Sequence, residues 1–218
     1  MKGIKKMKIV KLMFTLLAVT LMTALTPDAF SQTGLGFEGG INIGDISIAG
    51  IQQTTSGRTG LTVGAFADIG ITRNFYIRPG LRYVMKGFSW SNGAGTNFTD
   101  KLSYLEIPAM LKVSFPLTEV KPYIMAGPTL GIMLTASQDQ VNAQQTQNFD
   151  ASSIYETIDF GLYFGTGIDF HVANRMDMFF GGGYSLGLTN IHKSQNNVQT
   201  FTKKNYGIQV TAGMKFGL

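Results

Sequence analysis

The chain contains no cysteine, only two histidines and a single tryptophan, and charged side chains make up just 14% of its 218 residues. The missing thiols exclude a disulfide scaffold, a cysteine zinc site and a thiol nucleophile. Few charges combined with 11% aromatic residues exclude a disordered, solvated chain. Beyond the N-terminus no run of about 20 apolar residues occurs, so the sequence predicts no transmembrane helix. No grouping of His, Asp and Glu has the spacing of metal ligands, and neither a metal nor a cofactor is expected. The glycine-rich runs at 165–169 and 181–187 sit inside alternating segments with no helix after them, which excludes a phosphate loop.

The first 31 residues read as a secretory signal peptide. Lys2, Lys5, Lys6, Lys8 and Lys11 precede an apolar stretch from Leu12 to Leu25, followed by Pro27 and the small-residue pattern Ala29-Phe30-Ser31. The stretch is too short to span a bilayer as a helix, and cleavage is expected before Gln32. Removal takes five lysines and Asp28 from totals of 18 basic and 13 acidic residues, leaving 13 and 12. The basic balance therefore belongs to the signal, and no nucleic-acid partner is expected. The remaining 32–218 segment is predicted to be one domain.

What this segment has in abundance is glycine and strict two-residue alternation. Eight segments alternate apolar with polar or glycine residues: 34–43, 61–69, 75–86, 102–115, 122–134, 158–170, 177–188 and 206–218. The connections between them run long and short in turn, at 44–60, 70–74, 87–101, 116–121, 135–157, 171–176 and 189–205. That rhythm predicts an all-β, eight-stranded antiparallel up-and-down transmembrane β-barrel, with short turns and both termini in the periplasm and long loops outside the cell. One strand face is nearly free of charge, as contact with outer-membrane lipid requires. The other mixes charge with glycine, which suits a narrow, crowded lumen better than a water-exposed sheet.

Four stretches, RPGLRYVMKG (78–87), YLEIPAMLKVSF (104–115), KPYIMAGPTLGIML (121–134) and YSLGLTNI (184–191), resemble the PorT-type family of Bacteroidetes outer-membrane β-barrel proteins, often labelled porin family proteins. The resemblance runs from about Gly34 to Leu218. It implies an outer-membrane eight-stranded barrel, one branch of the family being implicated in type IX secretion while most members have no assigned activity; the role expected of this chain is structural or interactive, as an accessory of a secretion or envelope complex. It carries no catalytic residue onto this chain.

The inward charges are Glu38, Asp68, Arg78, Arg82, Lys86, Glu106 and Lys112. Arg78, Arg82 and Lys86 recur every fourth residue, about 13 Å apart per step along one strand. They predict an interior salt-bridge ladder that plugs the lumen, since an eight-stranded barrel is only wide enough for side chains to fill. A narrow small-solute channel is the alternative. Catalysis would have to be assembled from Ser194, His192 and Asp100 across loops, a generic pattern that predicts no enzyme. Trp90, in the segment expected to be the 87–101 loop, is the candidate loop contact for a partner protein, glycan or lipopolysaccharide.

Overall fold

The computed structural model describes residues 33–218 apart from 51, 94, 116, 118–119, 144 and 194–200. The signal-peptide expectation therefore lies outside the described residues.

Nine strands form: β1 (Gly34–Ala49), β2 (Thr55–Gly70), β3 (Phe75–Ser91), β4 (Asn97–Ser114), β5 (Val120–Val141), β6 (Thr146–Asp150), β7 (Ile158–Ala173), β8 (Met176–Gly187) and β9 (Thr202–Gly217). All pairings are antiparallel between sequence neighbours, except that β5 passes over β6 to pair with β7 and β1 closes on β9. Because β4 also pairs with β5, eight strands make a complete ring. Closure leaves the ring no edge of unpaired backbone groups, the condition for a sheet in hydrocarbon. The ninth strand, β6, lies outside the ring count. It pairs with the last five residues of β5 and was not anticipated from the alternation.

Alternation decides the two faces. On β4, Tyr104, Glu106, Pro108, Met110, Lys112 and Ser114 are buried inward, while Ile107, Ala109 and Leu111 are exposed outward. The outward set continues around the ring with Phe37, Val63, Ile124, Phe164, Phe180 and Val210, each more than half exposed. The phase slips once on β5. Leu134 is left opposite no β4 residue where the register shifts at Ser103 and Tyr104, after which Ala136 is buried instead of an odd-numbered neighbour.

The strands also run further than the sequence suggested. Most of the expected long loops are strand: β1 continues to Ala49, β3 to Ser91, and β5 to Val141. Their far halves lie beyond the roughly 10 residues a tilted strand needs to cross a bilayer, where the outward face no longer meets hydrocarbon, while inward residues such as Ile46, Phe88 and Ala136 stay apolar and buried. The end carrying Gly34 and Gly217 has the connections 71–74, 115–119 and 174–175; the opposite end, called here the loop end, has 50–54 and 92–96, of similar length, and the longer 142–157, which includes β6, and 188–201.

Glycine makes the interior passable for large rings. A side chain at Gly167 or Gly181 would strike the Tyr123 hydroxyl, and one at Gly183 would strike the Tyr163 ring. These bare positions on β7 and β8 let Tyr123 and Tyr163, both about 2% exposed or less, lie across the lumen.

Candidate functional site

The lumen holds two layers of ion pairs. In the layer nearer the termini, Arg78 of β3 grips Asp68 of β2 with both ends of its guanidinium, Nη2 donating to Oδ2 at 2.7 Å. Lys112 of β4 donates to Asp68 at 3.2 Å and to Asp169 of β7 at 2.7 Å. Lys215 of β9 lies 3.3 Å from Asp169 and 3.2 Å from Asp177, which also meets His171 at 2.9 Å.

In the second layer Glu106 bridges Arg82 at 2.8 Å and Lys86 at 2.7 Å. Arg82 and Glu106 are direct cross-strand partners, so the register itself sets this pair. Lys86 reaches on to Asp159 at 3.3 Å, and Asp159 accepts from Asn205 at 2.8 Å and from Thr189 at 3.0 Å.

Each of four cations also lies against a ring: Arg78 over Phe66, Arg82 over Tyr163, Lys86 over Tyr104 and Lys112 over Tyr123, at 4.0 to 4.9 Å from the centroids. Carboxylate on one side and aromatic face on the other fix these side chains and exclude solvent. The space between Arg78, Arg82, Glu38 and Tyr163 amounts to about 20 Å³. That is room for about one water molecule.

The structure thus joins six of the seven inward charges expected from sequence. Glu38 faces the same lumen but makes no ion pair among the described residues. Three partners were missed: Asp159, Asp169 and Lys215. Their parity on 158–170 and 206–218 assigned them to the polar face. Their partners lie on strands remote in sequence, which parity along one strand does not reveal.

At the loop end the lumen is stopped by apolar packing. Ile46, Phe88, Leu102, Tyr104, Ala136, Ala151, Tyr155 and Ile191 form one cluster, none more than 3% exposed. The 151–157 and 188–193 segments fold inward to complete it. Ala151 donates its N–H to the Ala136 carbonyl at 3.0 Å, Glu156 to Ile191 at 2.8 Å and Lys193 to Ile154 at 2.8 Å. Tyr155 and His192 form an isolated bridge. Burial, with the Asp100 carboxylate beside it, pushes the Tyr155 phenol above its ordinary value. Burial and nearby Lys203 hold the His192 imidazole below its own.

Trp90 requires a correction. It belongs to β3, because the strand continues through the segment expected to be a loop. Its indole stacks on Phe98 at 4.2 Å and 11°, and its N–H donates to Asp100 at 3.1 Å. Asp100 also accepts from Gln138 at 3.0 Å. That carboxylate is therefore already engaged within the arrangement considered for catalysis. The His192 ring stacks on Phe201 at 4.3 Å, and Ser194 lies outside the described residues. Among the described residues no group of three or more acidic or histidine side chains is placed to hold a metal ion.

A family model described as outer membrane protein beta-barrel domain matches residues 30–193. No curated protein matches the sequence. Among solved structures, Neisserial surface protein A aligns at 16% identity over 84% of this chain and 97% of its own, with a TM-score of 0.46. The attachment invasion locus protein Ail of Yersinia pestis aligns at 9% identity over 85% and 99%, TM-score 0.42. The outer membrane protein OprG from Pseudomonas aeruginosa aligns at 10% identity over 86% and 97%, TM-score 0.41.

Proposed function

The chain belongs to the outer membrane protein beta-barrel domain family and is an outer-membrane protein, and from that premise we propose that it is a closed, non-conducting barrel whose work is done by its loop end in contact with a partner. The observation that carries this reading is the double closure of the lumen. Paired charges fill its middle, and the Phe88, Leu102, Tyr155 and Ile191 cluster stops its loop end. In this reading both termini lie in the periplasm and the loop end faces out of the cell, as the long and short connections favour.

The partner is a protein of a secretion or envelope complex. The four stretches resembling PorT-type barrels support that choice. Crosslinking in native outer membranes followed by affinity purification tests it; recovery of the barrel alone, under conditions that capture known complexes, counts against an accessory role. Planar-bilayer recordings of the purified protein are expected to show no stable conductance. Reproducible unitary currents would sink the closed-barrel reading.

A narrow channel is the second reading. It is favoured by one wall of the lumen, where Asn42, Thr62 and Gln209 are buried with polar atoms unpartnered among the described residues. If the stopper alone keeps such a path shut, Tyr155→Ala with Ile191→Ala yields steady conductance. A silent double variant favours the paired charges as a second, independent barrier.

A further inference from the structure

Beside the stopper, at the loop end, lies a half-enclosed cavity of about 180 Å³ lined by Ile48, Gln53, Phe88, Trp90, Phe201 and Lys203. Its walls are almost wholly apolar. Lys203 is the charged exception, and its ammonium is surrounded by rings, 5.4 Å from the centroids of Phe88 and Tyr155 and 5.7 Å from that of Phe201.

Lys203 differs from the cations deeper in the lumen. Arg78, Arg82, Lys86, Lys112 and Lys215 each have a carboxylate within 3.3 Å, whereas Lys203 makes no ion pair among the described residues. The acid that acts on it electrostatically is Asp100, whose oxygens accept from Trp90 and Gln138. The neighbouring segment 194–200 contains no Asp or Glu at all. Ring faces compensate an ammonium only in part, and a partly buried cation without a counter-charge favours any anion that can reach it.

We propose that this cavity binds a small organic monoanion: a compact apolar body that fills the aromatic walls and one carboxylate that pairs with Lys203. The size fits, since an apolar cavity of about 150 Å³ accommodates benzene. The chemistry also sets selectivity. A neutral isostere leaves Lys203 uncompensated, and a cationic one is repelled. The proposal is independent of whether the barrel conducts, because the site lies at the mouth and needs no passage.

Trp90 is the only tryptophan in the chain and lines both this cavity and an adjoining open groove, so its emission reports binding at this end and the Lys203 variants assign it to the cavity. The full mature chain, folded in phosphatidylcholine nanodiscs, is titrated with cyclohexanecarboxylate, cyclohexylmethanol and cyclohexylmethylamine at neutral pH. A saturable change with the carboxylate, roughly tenfold tighter than with the alcohol, is expected from one charge-assisted contact. Lys203→Met should erase that preference and leave alcohol binding unchanged, while Lys203→Arg keeps it. Retention of the slower gel mobility on heating and of the strand circular dichroism identifies folded variants. Equal binding of acid and alcohol overturns the proposal, as does an unaltered preference in folded Lys203→Met. A linear, non-saturating drift, the mark of partition into lipid, overturns it equally.

Discussion

At the scale of single residues, this protein separates buried charge from exposed charge. Glu106 is 1% exposed and is held between Arg82 and Lys86. Glu106→Gln removes the negative charge, leaving buried Arg82 without its ion-pair partner and Lys86 with Asp159 alone, so it should destabilise by about 3–5 kcal/mol. Asp139, paired with Lys101 on the wet extension of β5, is the contrast. Its carboxyl is held below the usual range chiefly by the hydrogen bond from Lys101, yet Asp139→Asn should cost less than about 1 kcal/mol because solvent screens the pair. Urea unfolding midpoints of the two variants in the same lipid decide the matter; comparable small shifts would mean that the lumen is wetter than its packing implies. The same contrast explains what was legible in the sequence. Parity alone assigned Arg78, Arg82, Lys86 and Glu106 to the interior. It could not join Lys86 to Asp159 or Lys112 to Asp169, because those pairs cross the lumen between strands 73 and 57 residues apart.

At the scale of elements, the loop-end segments differ from the strands in how they are held. The strands have long ladders of backbone pairs, whereas 151–157 and 188–193 are tied by a few backbone bonds and by the packing of Tyr155, Ile191 and His192. His192 makes this closure sensitive to acid. Its pKa is below the ordinary value in the folded state, because burial and the like charge of Lys203 disfavour the imidazolium. The opened segment therefore binds more protons than the closed one. The packing's contribution is complete above the unfolded pKa of about 6.5 and declines as pH falls toward the lower folded value. Hydrogen exchange should show lower protection of the Glu156 and Lys193 amides at pH 5.5 than at pH 7.5, after correction for intrinsic rates. His192→Gln should flatten that difference, and an unchanged pH response in this variant would assign the effect elsewhere. These segments were hidden in the sequence for a physical reason. Outside the bilayer nothing imposes an apolar outward face, so the added β6 reads as polar loop, and the short alternation of Gly87–Ser91, whose Phe88 packs into the stopper, is lost among the Gly, Ser and Asn residues around it.

At the scale of the molecule, the outer surface fixes how the ring sits in its solvent. Along β9 the outward residues Ile208, Val210, Met214, Phe216 and Leu218 are all at least 40% exposed. From Ile208 to Leu218 the chain covers roughly 33 Å of strand, or about 25 Å of height once tilted by roughly 40°, the thickness of an outer-membrane apolar band. Tyr184 and Tyr206, whose ring centroids are 6.4 Å apart, lie just above that stretch on adjacent strands. An amphipathic pair at this height suits the headgroup boundary. Met214 then lies near the middle of the band and Leu218 at its lower edge, although both are well exposed. Position in the membrane, not exposure, should set the cost of a charge. Met214→Arg is expected to lower folding stability in bilayers by about 2–4 kcal/mol, and Leu218→Arg by about 0–1 kcal/mol. Thermodynamic refolding titrations into phosphatidylcholine vesicles measure both. Equal costs would shift the band along the strands, and with it the boundary that leaves Lys203 and the loop-end cavity outside the hydrocarbon.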